Sequence, residues 1–107
     1  MLEAMARRVR RFAALAEDLA FRQVIERLAR HIEADAAVAG QSLSRGAVVD
    51  LGLTQEQLAS RLGTVRELVS RAFRQLERSG AVKRTRSRVV IRDPERLAEI
   101  ARGGAPA

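Results

Sequence analysis

The sequence predicts a mainly helical α+β fold, in which a long N-terminal helix leads into a small domain of short helices and a β-hairpin. Three observations predict it. An apolar stripe of helical spacing begins at the N-terminus, two helix-start signals stand ten residues apart around a glycine, and two short apolar stretches flank residues 85–87. The 107 residues are enough for one domain with an appendage.

The first apolar stripe has the alternating three- and four-residue spacing of a heptad seam. Its members are Leu2, Met5, Val9, Phe12, Ala16 and Leu19. This seam predicts a helix that pairs with a copy of itself, and we assign residues 1–20 as the C-terminal part of a dimerisation helix. Because the seam is shorter than a typical coiled coil, an amphipathic helix packed within its own chain is the alternative.

A second stripe begins at Phe21 and has the 3.6-residue period of a helix that faces a core. It predicts the first helix of a globular domain, which we place at residues 21–102. The phase of the second stripe differs from that of the seam, which predicts either a helix break or a change of packing partner near residues 19–24. Residues 103–107 are expected to form a flexible tail.

The middle of the chain predicts a helix, a tight turn and a second helix. Thr54 and Gln57 have the spacing of a capping box, and the pattern repeats at residues 64–67. Gly63, between the two boxes, suits the left-handed conformation that ends a helix. The second helix is expected over residues 65–79.

Strand and helix signals continue toward the C-terminus. Residues 81–84 and 88–91 predict a β-hairpin, and residues 47–51 predict a further short strand. Asp93 and Pro94 have the residue types of an N-cap and a first helical position, so they predict a last helix. A helix-turn-helix followed by a hairpin is a winged helix-turn-helix.

The positive charge is concentrated in one block. Residues 61–92 carry ten basic and two acidic residues, whereas the rest of the chain has a net charge of −1. All but one of the basic residues are arginines, which bind phosphate and guanine edges with two hydrogen bonds. The chain has three phenylalanines and no Tyr or Trp, which argues against a single-strand binder that stacks bases on rings. The block therefore predicts a surface for double-stranded DNA, with a solvated arginine-rich surface as the alternative.

In a winged helix-turn-helix the second helix enters the major groove. The side chains expected to contact base edges are Arg66, Glu67, Ser70 and Arg71. Those expected to contact phosphates are Thr54, Gln55, Thr64, Arg74, Lys83, Arg84, Arg86 and Arg88. Two alternatives need no DNA: an ion pair between Glu67 and Arg71, and a wing whose charge protects an edge strand.

Several segments resemble the C-terminal DNA-binding domain of the Crp/Fnr transcription regulators. They read LTQEQLA at 53–59, LGTVRELVSR at 62–71 and LERSG at 76–80. Residues 19–29 resemble the stretch where the dimerisation helix of that family joins the domain. The resemblance implies a dimeric, cytoplasmic bacterial regulator that binds a palindrome in double-stranded DNA, with RNA polymerase as a further candidate partner and no membrane attachment.

The resemblance leaves the DNA site open. The spacing from Glu67 to Ser70 and Arg71 looks like the branch that reads a TTGA-type half-site, and Arg66 looks like the branch that reads a TGTGA-type half-site. The effector-binding β-barrel of the family is absent from these residues. We therefore expect a truncated chain, a fragment, or a regulator without a sensor.

Three positions depart from the family pattern. Val65 and Leu68 stand where hydroxyl residues are usual, which removes two possible phosphate contacts. Gln23 stands where many members have an aspartate that caps the next helix. Because glutamine caps poorly, we expect a softer helix break there.

Other function classes find little support. The chain has no cysteine for a disulfide, thiolate zinc site or iron–sulfur cluster. We interpret its one histidine, His31, as a structural residue. We therefore expect no enzyme and no cofactor. A sequence-independent architectural DNA binder is one alternative. The ratio of specific to non-specific affinity would distinguish it from a sequence-specific binder. A winged helix used for protein contact is the other, and it predicts an apolar rather than a charged recognition face.

Overall fold

A computed structural model of the chain describes residues 2–40, 43–86 and 88–104. Within these residues the chain forms one long helix, three shorter helices and an antiparallel sheet, which confirms the predicted α+β class with a hairpin wing. In chain order the elements are α1 (Leu2–Val38), β1 (Val48–Asp50), α2 (Gln55–Leu62), α3 (Arg66–Arg78), β2 (Val82–Thr85), β3 (Arg88–Ile91) and α4 (Pro94–Ala101).

Helix α1 is continuous across the position where a break was one of the two expectations. It spans 37 residues and contains neither glycine nor proline. Every residue from Leu2 to Ala20 is exposed, whereas Val24, Ile25 and Leu28 are buried. The change of phase is therefore a change of packing partner, and the expectation of a break at Gln23 is wrong because no new helix starts there.

The hydrophobic core lies between the second half of α1, α3, α4 and the sheet. Leu28 and Ile32 from α1, Val69 and Leu76 from α3, and Ile100 from α4 are all fully buried. Burial of each such side chain contributes about 1.5–3 kcal/mol relative to leaving it in water. Because α3 is anchored on this side, its opposite face is held toward solvent.

The first predicted capping box is confirmed at the start of α2. The Gln57 amide donates to Thr54 Oγ1 at 3.1 Å, and the Thr54 amide donates to Gln57 Oε1 at 2.9 Å. Gly63 ends the helix with φ of 71°, in the left-handed conformation predicted for it. Arg27 of α1 also supports this end, because its guanidinium donates to the Leu62 carbonyl at 3.0 Å.

The second predicted capping box, at Thr64 and Glu67, is wrong. The N-cap of α3 is Val65, which has an extended backbone and no side-chain capping bond. The Thr64 amide instead donates to the Ala59 carbonyl at 2.9 Å and so completes the end of α2. Because α3 begins one residue later than expected, Glu67 is its second residue and does not occupy the third position that a capping box requires.

The sheet has the strand order β1-β3-β2, with both pairs antiparallel. The predicted hairpin is β2-β3, in which Thr85 lies opposite Arg88. The short strand predicted at residues 47–51 is β1, and it pairs with the other edge of β3. Ser87, predicted at the hairpin tip, lies outside the described residues.

Helix α4 starts as predicted. The Asp93 carboxylate accepts from the Arg96 amide at 3.0 Å, and Pro94 is the first helical residue. After the helix, Gly103 and Gly104 donate backbone hydrogen bonds to carbonyls of its last turns. The remainder of the tail expected to be flexible, residues 105–107, lies outside the described part of the chain.

Candidate nucleic-acid interface

The residues predicted to read bases lie on the solvent side of α3. Arg66, Glu67 and Arg71 are exposed, and Ser70 is half-buried. The buried residues of α3 pack into the core, and this packing determines which side chains of α3 are exposed to solvent. The surface that results is a charged helix face of mixed sign.

Arg71 does not pair with Glu67 in this structure. Its guanidinium carbon lies 4.4 Å from the centre of the Phe21 ring, in a cation–π contact that joins α3 to α1. Among the described residues the salt bridges are His31–Asp35 and Arg96–Glu99, so Glu67 is in neither. The surface ion pair considered as an alternative role for these two side chains is therefore not formed here.

Ser70 and Arg74 contact each other one turn further along α3. Arg74 Nη1 donates to Ser70 Oγ at 3.2 Å, and the pair is exposed. The bond is weak enough to be exchanged for a bond to another partner, because an exposed hydrogen bond competes with water. Both residues thus stay available to a ligand on this face.

The basic residues of the wing fall into two groups. Lys83, Arg86 and Arg88 are exposed on the hairpin. Arg86, beside the hairpin tip, has φ of 53°, a left-handed conformation that is uncommon outside glycine. These three exposed residues give the wing a positively charged surface next to α3.

Arg84 differs from the other wing residues because the protein itself holds it. Its guanidinium carbon lies 4.9 Å from the centre of the Phe73 ring, and its Nε donates to the Arg86 carbonyl at 3.2 Å. With the Gln55 amide turned so that its oxygen faces the donors, that oxygen accepts from Arg84 Nη2 at 2.8 Å and also from Nη1. Arg84 therefore connects the wing to both helices of the helix-turn-helix, a role that the sequence did not indicate.

A shallow polar cleft separates the start of α2 from α3 and the wing. It is lined by Thr54, Gln55, Glu56, Arg66 and Arg84. The Thr54 oxygen accepts the capping bond, but its O–H can still donate to a ligand, and so can the first backbone amides of α2. Such amides bind phosphate groups well.

The predicted dimerisation residues form an exposed apolar strip along the first half of α1. Leu2, Met5, Val9, Phe12 and Leu19 are between 59% and 85% exposed, and Ala16 is also exposed. A strip of large apolar side chains in water indicates an interaction surface.

Leu15 belongs to the same strip, and the heptad assignment missed it. This side chain is 58% exposed and lines a groove on α1 with Arg8, Arg11 and Phe12. Its position directly before Ala16 in the seam was the signal that could have found it, because residues that flank a seam also contact the partner helix.

Other chemistry finds no site in the described part of the chain. No group of three His, Asp or Glu side chains there is placed to hold a metal ion. His31 Nε2 lies 3.3 Å from Asp35 Oδ2 within α1, a local pair four residues apart. No helix among the described residues is long and apolar enough to cross a membrane.

The fold and this surface define a winged helix-turn-helix domain with a basic recognition face, preceded by a long helix. The family model described as the Crp-like helix-turn-helix domain matches residues 23–100. The chain belongs to this family, as the sequence resemblance implied.

Relatives of known name support the same family. The chain is 34% identical over 102 residues to a CRP-like cAMP-activated global transcriptional regulator of Mycobacterium tuberculosis, a match that covers 95% of this chain and 46% of that protein. Among solved structures, the catabolite activator protein of Thermus thermophilus is 28% identical with a TM-score of 0.75, over 95% of this chain and 45% of that one. The CO-dependent transcription factor CooA of Carboxydothermus hydrogenoformans is 27% identical with a TM-score of 0.68, over 81% of this chain and 40% of that one. The chain thus spans about half the length of the relatives it matches.

Proposed function

We propose that this chain binds double-stranded DNA in a sequence-specific way, as the DNA-binding part of a dimeric bacterial transcription regulator. The observation that supports the proposal most is the solvent-facing side of α3, where Arg66, Glu67 and Arg71 are exposed on a helix anchored in the core. A charged face of mixed sign suits base edges, whereas a face for protein contact would carry apolar side chains.

The proposed contacts to base edges follow from the chemistry of each side chain. Arg66 and Arg71 each offer two parallel donors to guanine O6 and N7, and Glu67 accepts from a cytosine amine. Each well-placed bidentate pair contributes about 1–3 kcal/mol of discrimination between bases. Ser70 can donate its O–H to a base edge while its oxygen accepts from Arg74.

The proposed phosphate contacts surround this helix. Lys83, Arg86 and Arg88 contribute charge from the wing and Arg74 from the far end of the face, whereas the uncharged Thr64 offers its hydroxyl from the turn. At the start of α2, the Thr54 hydroxyl is proposed to donate its O–H to a phosphate and Gln55 to donate its backbone amide. Arg84 is also proposed as a phosphate contact, through whichever of its donors the wing contacts leave free.

The dimer is proposed to form along the exposed strip of α1. In a parallel pair the residues of the seam would face each other, with Leu15 packed beside them. The resulting two-fold axis would present two α3 helices about 34 Å apart, the spacing of half-sites one helical turn apart. We therefore propose a palindromic DNA site.

The wider setting is also part of the proposal. A regulator that binds chromosomal DNA acts in the bacterial cytoplasm, and RNA polymerase is a candidate further partner with no residue of this chain assigned to it. DNA binding by this surface uses hydrogen bonds and charge, so it requires no cofactor within these 107 residues.

The proposal is tested with two duplexes of equal length and composition, one with two TTGA-type or TGTGA-type half-sites one helical turn apart and one with scrambled order. We expect the palindrome to bind tighter by on the order of 10³-fold at physiological salt. Equal affinity for both duplexes would favour the architectural alternative, and no binding to either would favour protein contact.

Two variants divide the surface into readout and positioning. Arg71→Ala is expected to lose most of the preference for the palindrome, because it removes a base contact. Arg86→Ala is expected to weaken both duplexes alike and to reduce the slope of log K against log salt by about 0.9. Identical specificity profiles for the two variants would contradict this division.

A further inference from the structure

Phe21 occupies the point where the two halves of α1 meet. The residues before it, from Leu2 to Ala20, are all exposed, and the core-facing residues of α1 begin at Val24. Phe21 itself is half-buried and packs against the edge of the core. One face of its ring carries the Arg71 guanidinium, with 4.4 Å between the guanidinium carbon and the ring centre.

We propose that Phe21 is a positioning residue for base readout, which holds the Arg71 guanidinium in the orientation that DNA requires. The inference rests on the proposed function, because it assigns Phe21 a role only through a base contact by Arg71. It predicts that α1, which contributes no proposed base contact, influences sequence specificity through one side chain.

The geometry of a guanidinium makes this role chemically reasonable. A planar guanidinium can stack its face on an aromatic ring while the N–H donors along its edge remain free for two parallel hydrogen bonds. Stacking on Phe21 therefore does not consume the donors that a guanine would need. It also limits the rotamers of a long side chain before DNA arrives, which reduces the entropy lost on binding.

The ring is a rigid support because the core fixes it. Phe21 packs against buried residues of the domain, whereas Arg71 is exposed and would otherwise move freely in water. Arg66 provides an internal comparison, since it is exposed on the same face of α3 and its guanidinium is not among the ring contacts found in the described residues. The two arginines proposed to read bases thus differ in preorganisation.

The placement also connects dimerisation with readout. Leu19, the last residue of the seam, lies two positions before Phe21 on one uninterrupted helix. The ring that supports Arg71 therefore lies within one helical turn of the proposed dimer seam.

The test is a double-mutant cycle between Phe21→Leu and Arg71→Ala, measured on the full chain with the palindromic and scrambled duplexes. Leucine keeps apolar bulk and removes the ring. We expect Phe21→Leu to weaken the palindrome by about two- to fivefold, the factor that an exposed cation–π contact supplies, with little change for the scrambled duplex. In the Arg71→Ala background the same substitution should have no further effect, and Phe21→Trp should restore or improve specific binding because Trp gives the strongest cation–π contact.

Four results would overturn the proposal. Equal losses from Phe21→Leu with and without Arg71, or equal losses on both duplexes, would mean that the ring only packs; thermal unfolding of each variant measures that contribution separately. Tighter specific binding by Phe21→Leu would mean that the ring sequesters Arg71 instead of positioning it. If Arg71→Ala still discriminates between the two duplexes, the base contact proposed for Arg71 is wrong and the role of Phe21 fails with it. If Arg71→Ala loses this discrimination but shows no coupling to Phe21, only the positioning role of Phe21 is overturned.

Discussion

At the scale of single residues, the arginines of this surface are held in different ways. Arg71 lies on Phe21, Arg84 lies on Phe73, and Arg74 donates to Ser70. The sequence could predict which residues of α3 face solvent, because the 3.6-residue period identifies the buried side. It could not predict the two ring contacts, because each joins residues from different elements that only the tertiary fold brings together.

The first residue-scale prediction concerns Arg84, which holds the wing as well as contributing charge. Arg84→Ala removes a cation–π contact and the bonds to Gln55 and the Arg86 carbonyl, so we expect it to lower the free energy of unfolding by about 1 kcal/mol. Lys83→Ala is the matched control on the same strand, because Lys83 is exposed. Urea unfolding measures both, and equal stability of the two variants would contradict the structural role of Arg84.

The second residue-scale prediction is a pH dependence at Glu33. Burial raises the pKa of this half-buried carboxyl above its ordinary value, and the nearby Arg102 opposes the shift only in part. A raised pKa in the folded state means that the folded chain binds the proton more tightly than the unfolded chain. Stability from this group is therefore present below the unfolded pKa and is lost as the pH rises through the folded pKa.

Glu33→Gln mimics the protonated form and should remove this loss. We expect the variant to be more stable than the parent chain at neutral pH, with a difference that shrinks as the pH falls below the ordinary pKa of glutamate. Urea unfolding of both proteins across this range measures the difference at each pH. A difference that is constant with pH, or one that grows on acidification, would contradict the assignment.

At the scale of elements, most boundaries followed from local chemistry. The signals that begin and end α2 and begin α4 act between residues close in sequence, so the sequence alone could place these helix ends. They are Thr54 with Gln57, Gly63, and Asp93 with Pro94. The expected break near Gln23 failed because a shift in apolar phase does not distinguish a new helix from the same helix with a new neighbour. The box at Thr64 failed because the end of α2 extends through that residue's amide.

The capping box at Thr54, and the predicted one at Thr64 that does not form, give an element-scale prediction with its own control. Thr54→Ala removes the bond to the Gln57 amide and should lower the free energy of unfolding by about 1 kcal/mol. Thr64→Ala should cost clearly less, because Val65 is the N-cap of α3 and α3 has no side-chain capping bond. Chemical denaturation measures the free energy of unfolding of both variants. A larger loss in Thr64→Ala than in Thr54→Ala would show that Thr64 is the N-cap of α3 in solution.

At the scale of the whole molecule, the chain is elongated, with principal extents of 59 × 26 × 19 Å. The length comes from the first half of α1, which extends away from the domain with its apolar strip in water. In proteins most of the stability of a helix comes from packing of its amphipathic face against a neighbour. The sequence could predict this strip from its spacing, but the spacing alone does not determine what covers it.

Phe12→Ala tests that partner. Phe12 is 71% exposed, so truncating it should leave the unfolding of the domain unchanged but should weaken self-association by about tenfold or more, because it removes a large apolar contact from each copy. Arg7→Ala, an exposed change on the same helix outside the seam, is the control and should leave association unaffected. Sedimentation over a range of concentrations measures the self-association of each variant. Equal association of the two variants would place the dimer interface elsewhere.

The proposed function requires this chain to read a specific DNA sequence as a dimer. Its most direct test is selection from a randomised duplex pool at two salt concentrations, with sedimentation of the same protein–DNA sample. We expect an enriched palindrome with half-sites one helical turn apart, bound by two copies of the chain. Salt-sensitive binding with no enriched sequence, by a sample that sediments as a dimer, would contradict it.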